Sequence, residues 1–237
     1  MPMYNAPLWC VDQKEARRYA GLAKAPSFDE RMIAEACEDA QLLSVPRGIW
    51  EAYDYICDSH RVQADPPLDL VGSSIAKHLS GCDRVIFLAV TVGEEIEREV
   101  ARRFQAGDYT SAILLDAAAT AAVEQVADAM EDAIRPGILR EGYGMKWRFS
   151  PGYGDWPLAQ QPDALRLCHG ERIGVALTES LMLVPRKSVT AVIGLARNEG
   201  SASKGQGEGK HRNGQKEQTE QPKGCAACGR LDCPSRT

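Results

Sequence analysis

The sequence is poor in the residue patterns through which most enzymes carry out chemistry. Its four histidines show no metal-ligand spacing, and no serine stands in the glycine-flanked pattern of a nucleophile elbow. The glycine- and lysine-containing loop that cradles phosphates and the glycine-rich dinucleotide fingerprint are also missing. We therefore do not expect a reaction that depends on an acid, base or nucleophile supplied by the chain itself.

The chain also lacks an excess of basic charge and any long hydrophobic run. Its 28 lysines and arginines stand against 33 aspartates and glutamates, and the resulting net charge of −5 gives no electrostatic case for a nucleic-acid partner. No stretch approaches the ~18 apolar residues of a membrane span. The first residues show no basic flank followed by an apolar run. We therefore expect no signal peptide, no membrane partner and a cytoplasmic location.

Hydrophobic residues make up 44% of the chain, which supports a globular core that mixes helices and strands. Apolar residues at helical intervals predict helices over 12–22, 27–43, 68–80, 94–105, 111–134 and 158–168. Apolar and β-branched runs predict strands over 84–92, 173–184 and 189–195, with an interrupted β-like stretch over 45–64. The run over 84–92 is continuously apolar, so both of its faces are expected to be covered.

The most unusual stretch is the loop over 148–157, which reads Arg-Phe-Ser-Pro-Gly-Tyr-Gly-Asp-Trp-Pro. Proline fixes the backbone, while glycine permits close approaches that other residues exclude. The planar donors of an arginine suit a carboxylate or phosphate. The composition favours a small anionic or zwitterionic ligand with a flat ring, and it is equally typical of an ordered turn between strands.

Two carboxylates stand out in the predicted elements. Asp116, Thr120, Glu124 and Asp128 recur every four residues on one face of the alanine-rich helix, a pattern most often seen on a solvated surface. Alanine nevertheless lets a ligand approach closely, which makes Glu124 a candidate binding residue. Glu179 shares the phase of an apolar strand, where a carboxylate is at a bend, paired or functional.

Three motifs resemble the activation domain of cobalamin-dependent methionine synthase. They are Arg-Phe-Ser-Pro-Gly-Tyr over 148–153, Gly-Val-Ala-Leu-Thr-Glu-Ser over 174–180 and Pro-Arg-Lys-Ser over 185–188. The similarity is closest to the free-standing form of the domain, the methionine synthase activation subunit, because Gly-Tyr-Gly-Asp-Trp-Pro over 152–157 is characteristic of it. The resemblance spans roughly residues 12–196.

The resemblance implies an α+β fold with a twisted, largely antiparallel sheet flanked by helices. Residues 1–80 are then a helical or mixed part of the same domain as a core over 81–197 that binds S-adenosylmethionine. The implied function is repair of a separate cobalamin-dependent methionine synthase whose cobalt has been oxidised to cob(II)alamin. A flavodoxin- or ferredoxin-like donor supplies one electron, and S-adenosylmethionine supplies the methyl group.

The resemblance also implies roles for individual residues. Arg148 would hold the methionine carboxylate, the backbone of Ser150 and Gly152 would face the ligand, and Tyr153 would pack beside it. Glu124 would accept a hydrogen bond from the amino group or the ribose of the ligand. Together with Glu179, these are the expected ligand-binding residues.

The sequence departs from the family pattern on the adenine side of the site. The fused domain has contacts in an early Asp-Trp segment and in a tyrosine after the last strand, and this chain has neither. The departure leaves a second interpretation open. The chain would then reactivate another corrinoid methyltransferase without using S-adenosylmethionine.

The residues over 198–237 are rich in Gly, Ser, Lys, Gln and Glu, which predicts a flexible tail. The tail ends in Cys225, Cys228 and Cys233, a Cys-x-x-Cys spacing followed by a third cysteine. Zinc or an iron–sulfur centre would suit this cluster, with Cys168, His211 or a partner residue as the fourth ligand. A redox dithiol and a tail without a function are the alternatives.

Overall fold

A computed structural model describes residues 3–5, 8–25 and 27–198 of the chain. Its centre is an antiparallel sheet in the order β4-β3-β2-β5-β9-β6, with β1 beside β2. The strands are β1 Met3–Tyr4, β2 Arg47–Ile56, β3 Arg61–Val62, β4 Leu68–Asp69, β5 Arg84–Thr91, β6 Tyr143–Met145 and β9 Ser188–Arg197. A separate hairpin pairs β7 Ala176–Leu177 with β8 Leu183–Val184.

The helices cover both faces of this sheet. They are α1 Gln13–Tyr19, α2 Glu30–Leu43, α3 Ser73–His78, α4 Glu95–Gln105, α5 Tyr109–Arg140 and α6 Gln161–Cys168. Helices α1, α2 and α5 pack in one apolar core, and α3 and α6 pack in the other. The predicted α+β class, with an antiparallel sheet flanked by helices, is confirmed.

Strand β5 separates the two cores. Ile86 and Leu88 belong to the core under α5, while Val85 and Phe87 belong to the core under α6. Successive side chains of a strand point to opposite faces, so an apolar residue at every position serves both cores at once. The prediction that both faces of this strand are covered is confirmed, because every residue from Val85 to Thr91 is buried.

Helix α5 does not end where the sequence predicts. The Arg-Pro-Gly signal at 135–137 predicts a stop at residue 134, but the helix continues through Pro136 to Arg140. Proline removes one N–H donor from the helix. Ile134 and Ile138 are both buried in the core under this helix, so an additional turn of apolar packing favours continuation past the proline.

The predicted strand over 173–184 is also wrong, because this segment folds into the hairpin β7–β8. The Thr178 hydroxyl accepts a hydrogen bond from the Met182 N–H at 3.1 Å and lies 2.9 Å from the Ser180 hydroxyl. Leu181 takes a positive φ of 63°. Side-chain closure of a turn by Thr and Ser competes with a continuous strand.

Two predicted helix starts are shifted. The capping box at Ser27 predicts the start of α2, but Asp29 caps that helix by accepting a hydrogen bond from the Arg31 N–H. The predicted helix over 68–80 shortens to α3, because Leu68–Asp69 pairs as β4 and Gly72 then turns with φ 124°. A Cβ at Gly72 would lie 2.8 Å from the carbonyl oxygen of Asp155, so this turn requires glycine.

Candidate functional site

Arg148 lies where the chain leaves the sheet. The neighbouring Phe149 exchanges two backbone hydrogen bonds with Val192 of β9, at 2.9 and 2.8 Å. This pairing fixes the backbone while the arginine side chain reaches towards α5. Its guanidinium lies 3.1 Å from Glu124 and 2.9 Å from Asp128. Helix α5 therefore presents a row of carboxylates to a single cation.

A third carboxylate completes this cluster. Glu131 lies 2.5 Å from Arg148, and their side chains are 8% and 12% exposed. Burial raises the pKa of Glu131, although Arg148 acts against that shift. Burial alone would lower the pKa of Arg148, but the carboxylates outweigh it and the pKa is raised. We call Glu124, Asp128, Glu131 and Arg148 the arginine cluster; it carries more negative than positive charge.

A second buried cation extends the pairing along α5. The Lys187 ammonium lies 2.9 Å from Asp116 and donates to the Thr120 hydroxyl at 2.8 Å. Its backbone N–H donates to Glu97 of α4 at 3.0 Å. The row of polar residues on α5, for which a solvated surface is the commonest explanation, is thus half-buried and paired with cations from the turn before β9 and from the loop.

A cleft opens beside the arginine cluster. One part, of about 220 Å³, lies between α1, α5 and the loop, and its walls include Tyr19, Glu124 and Arg148. A wider part of about 670 Å³ extends to the β7–β8 hairpin. The two parts share four residues, namely Glu124, Ser150, Tyr153 and Val189. Ligand sites of drug-sized molecules span about 300–1,000 Å³.

Helix α1 is held against this cleft by Gln125 of α5. The Gln125 side chain accepts from the Asp12 N–H at 2.8 Å and donates to the Cys10 carbonyl at 3.2 Å. The guanidinium of Arg18 then lies 4.1 Å above the ring of Tyr19 at the wall of the smaller part. Burial, followed by the charge of Glu124, raises the pKa of Tyr19.

The structure brings most of the expected residues together. Glu124, Arg148, Ser150 and Tyr153 all line the smaller part of the cleft. Gly152 is in the same loop with φ 90°, but its N–H donates to the Trp156 carbonyl at 2.8 Å. That amide is therefore already used inside the loop.

Glu179 lies apart from these residues. It is exposed at the turn of the β7–β8 hairpin and is not among the residues that line the cleft. The apolar phase that singled it out belongs to a strand that does not form. Other hairpin residues, including Leu181 and Met182, do line the wider part.

The second half of the loop is anchored away from the cleft. Asp155 accepts hydrogen bonds from the Ser73 N–H and hydroxyl and from the Ser74 N–H, at 2.6–2.8 Å. The Ser73 hydroxyl is the first cause of a strongly lowered pKa of Asp155. Trp156 is 1% exposed, and its indole N–H donates to Gln160 at 2.8 Å.

Several cleft residues carry no strong sequence signal. Arg18 and Tyr19 lie in a short amphipathic helix that gives no sign of a ligand site. Arg186 and Lys187 belong to the Pro-Arg-Lys-Ser motif, which was the available signal for this part of the cleft. Their location opposite α4 and α5 depends on tertiary packing and could not be obtained from spacing.

The described part of the chain holds no group of three or more His, Cys, Asp or Glu residues arranged to bind a metal ion. Cys225, Cys228 and Cys233 lie outside the described residues, as does His211. Cys168 is fully buried, and burial raises the pKa of its thiol to about 12, which disfavours the thiolate that a metal requires. Among the described helices, none is long and apolar enough to cross a membrane.

Comparison with known proteins identifies similar chains. A family model described as the vitamin B12 dependent methionine synthase activation domain matches residues 69–201, a little over half of the chain. The fold is similar to a crystal structure of the MetH reactivation domain bound to AdoHcy. The TM-score is 0.57 at 16% sequence identity, over 82% of this chain and 78% of that chain. No curated protein matches the sequence.

Proposed function

We propose, because this chain belongs to the family of vitamin B12-dependent methionine synthase activation domains, that it binds S-adenosylmethionine and supports reactivation of a cobalamin enzyme. The observation that carries the proposal is the cleft in which the family's loop, through Arg148, meets the acidic face of α5. The related MetH domain was crystallised with AdoHcy. AdoHcy is the demethylated form of the proposed ligand.

The charges of the cleft are complementary to this ligand. S-adenosylmethionine carries an ammonium, a sulfonium and a carboxylate, so it has two positive charges and one negative charge near neutral pH. The arginine cluster offers three carboxylates and one guanidinium. Glu124 and Asp128 are its more exposed members, which supports a role for them as acceptors of hydrogen bonds from the ammonium group.

Arg148 is the proposed partner of the ligand's carboxylate. Its Nη1 donates to Asp128 and Glu131, and its Nη2 donates to Glu124 at 3.1 Å. A guanidinium has five N–H donors, so these three bonds leave two for a ligand. When the ligand's ammonium draws Glu124 away, a further donor turns towards the carboxylate.

The wider part of the cleft is the proposed site of the adenine ring. This part lies beside Tyr153 and the apolar side chains of Leu181 and Met182. The hairpin can therefore replace the contacts that the fused domain makes through its Asp-Trp segment and its later tyrosine. An aromatic face and flexible apolar side chains suit a flat heterocycle.

The partner in this proposal is a separate cobalamin-dependent methionine synthase. The cobalamin on that partner would supply the cobalt that takes the methyl group from S-adenosylmethionine and leaves S-adenosylhomocysteine, and a flavodoxin- or ferredoxin-like donor would supply the electron. The residues of this chain bind the methyl donor and orient its sulfonium, and they supply no acid or base. Positioning is the main contribution to catalysis in such a group transfer.

A second function is favoured by one specific observation. Three carboxylates already bond to the Arg148 guanidinium, so this arginine has a structural use without a ligand. A chain that reactivates another corrinoid protein without S-adenosylmethionine would need only this structural use of the arginine. The two candidates differ in whether the methyl donor binds.

The tail cysteines are a separate proposal. Zinc or an iron–sulfur centre at Cys225, Cys228 and Cys233 would give the chain a metal site or a point of electron entry. Anaerobic purification followed by metal analysis and visible absorbance tests it. Colourless, metal-free protein would contradict it.

Calorimetric titration of S-adenosylmethionine into the full chain tests the proposed function. We expect saturable binding that Glu124→Gln weakens about tenfold, which corresponds to about 1.4 kcal/mol. Asp132→Asn is the matched control, because this exposed carboxylate lies on the same helix outside the cleft. Absence of binding, alone and with a cobalamin-loaded partner present, would contradict the proposal and favour the second function.

A further inference from the structure

A second cavity of about 700 Å³ lies on the other side of Tyr153, between the C-terminal half of α3, β6 and the end of β9. Its lining includes the cations Lys77, Lys146 and Arg197. None of the described residues that line it carries a carboxylate. In a chain with a net charge of −5, such a cavity concentrates positive charge locally and attracts anions.

The cations differ in how far their charge is already neutralised. Arg197 pairs with Asp83 at 2.9 Å. Lys146 donates to the carbonyl oxygens of His78 and Ser80, each at 2.7 Å, so it caps the end of α3 without meeting a carboxylate. Lys77 is exposed and forms no ion pair within the described part of the chain. Lys77 and Lys146 therefore remain available to an anionic ligand.

One wall of the cavity is aromatic, and its rings contact one another. The ring centroids of Trp147 and Phe149 lie 5.3 Å apart, and the ring of His78 lies 4.3 Å from Trp147. Burial, reinforced by Lys146, lowers the pKa of His78 to about 4, so this ring is neutral near pH 7. Tyr153 meets Phe149 edge to face at 6.1 Å. A preformed wall of this kind stacks a planar ring at little cost in side-chain entropy.

We propose that this second cavity binds a small molecule in which a planar ring carries an anionic group, either a phosphate or a carboxylate. The ring stacks on Trp147, and the anion meets Lys77 and Lys146. The arginine cluster has neither this tryptophan nor these lysines, and its charge is acidic. The two sites therefore select ligands of opposite charge on opposite sides of Tyr153.

Flavin mononucleotide is a suitable probe, because it joins a planar ring to a phosphate and reports binding by its own fluorescence. We expect saturable binding to the full chain with a Kd below about 100 µM. Riboflavin lacks the phosphate and inorganic phosphate lacks the ring, so each should bind at least about tenfold more weakly. No saturable binding up to about 1 mM, or equal binding of riboflavin, would overturn the proposal.

Two variants locate the bound probe. Lys77→Glu reverses an exposed charge and should weaken binding about tenfold, whereas the control Lys24→Glu, which changes an exposed lysine outside the cavity, should not. Trp147→Leu should remove the stacking and with it the fluorescence quenching. Equal affinities of the two lysine variants would overturn the proposal. Displacement of the probe by S-adenosylmethionine would also overturn the proposal, because the probe would then occupy the cleft. If S-adenosylmethionine does not bind the chain at all, the binding of the probe can still be measured.

Discussion

Within the loop, Arg148, Ser150, Pro151 and Tyr153 line the cleft, whereas Gly154 and Asp155 contact α3. The first half presents Arg148, Ser150 and Tyr153 to the space beside α5. In the second half, the polar groups of Asp155 and Trp156 form hydrogen bonds that anchor the loop. The comparison shows that an unusual sequence motif can divide its residues between holding a loop and lining a cleft.

The anchored half makes the presenting half rigid. Gly154 has φ 56°, and a Cβ there would lie 2.6 Å from the Ser74 hydroxyl, so the loop lies directly on α3. The Gly152 N–H bonds to the Trp156 carbonyl and links the two halves. A ligand that binds such a loop does not have to order it first.

The largest expected effect is on the anchored half. Trp156→Ala should lower the free energy of unfolding by about 3–5 kcal/mol, because it empties the volume of a buried indole. Urea denaturation measures this change. Trp9→Ala is the control, since Trp9 is 81% exposed, and its effect should stay within about 0.5 kcal/mol. Similar losses in the two variants would contradict the anchoring role.

Arg148→Ala tests whether the presenting half is also structural. It leaves the buried Glu131 without its nearest cation, with only Arg135 at 3.9 Å, which should cost about 3 kcal/mol of unfolding free energy. Arg135→Ala is the control, because its ion pairs are 3.7–3.9 Å long and more exposed, and its effect should stay within about 0.5 kcal/mol. Adding Glu131→Gln to Arg148→Ala should recover part of the loss; no recovery would contradict the stated cause.

Asp155 makes the anchoring dependent on pH. Its pKa is lowered by the Ser73 hydroxyl and the N–H groups of Ser73 and Ser74. A lowered pKa in the folded state contributes stability above the unfolded value of about 3.9, and this contribution is lost as the pH falls further. The unfolding free energy of wild type should therefore rise more between about pH 2 and 5 than that of Asp155→Asn. Parallel pH dependences of the unfolding free energy in wild type and Asp155→Asn would contradict this prediction. Asp132→Asn, which changes an exposed carboxylate, is the control.

The smallest expected effect belongs to Glu179→Gln. This carboxylate is exposed on the hairpin turn and lies outside the cleft. The affinity for S-adenosylmethionine should therefore stay within about twofold of wild type, and the free energy of unfolding should stay within about 0.5 kcal/mol. Calorimetry and urea denaturation measure the two quantities. A tenfold loss of affinity would show that the hairpin closes over the ligand and brings Glu179 to it.

Local patterns predicted the fold where one physical rule dominated. The continuous apolar run of β5 indicated a strand covered on both faces, and the structure places it between the two cores. Local patterns were misleading where tertiary packing or side-chain bonds competed. The burial of Ile138 carries α5 past Pro136, and the Thr178 hydroxyl turns a predicted strand into a hairpin.

The candidate site shows the same division. Arg148 and Tyr153 could be singled out from the unusual composition of their loop and from the family resemblance. The ion pairing of Arg148 could not be predicted, because sequence spacing does not show that the Glu131 side chain is buried and contacts it. Arg18 and Tyr19 lie more than 100 residues before the loop and reach the cleft only through the contact of α1 with α5.

Hydrogen–deuterium exchange with and without S-adenosylmethionine tests the central claim most directly, namely that the ligand binds on the cleft side of the loop. We expect added protection in α5 around residues 121–128, in the loop over 148–153 and in the hairpin over 177–184. Segments 73–80 and 144–147, on the other side of Tyr153, should be unchanged. Protection confined to those two segments, or no protection anywhere, would contradict the account.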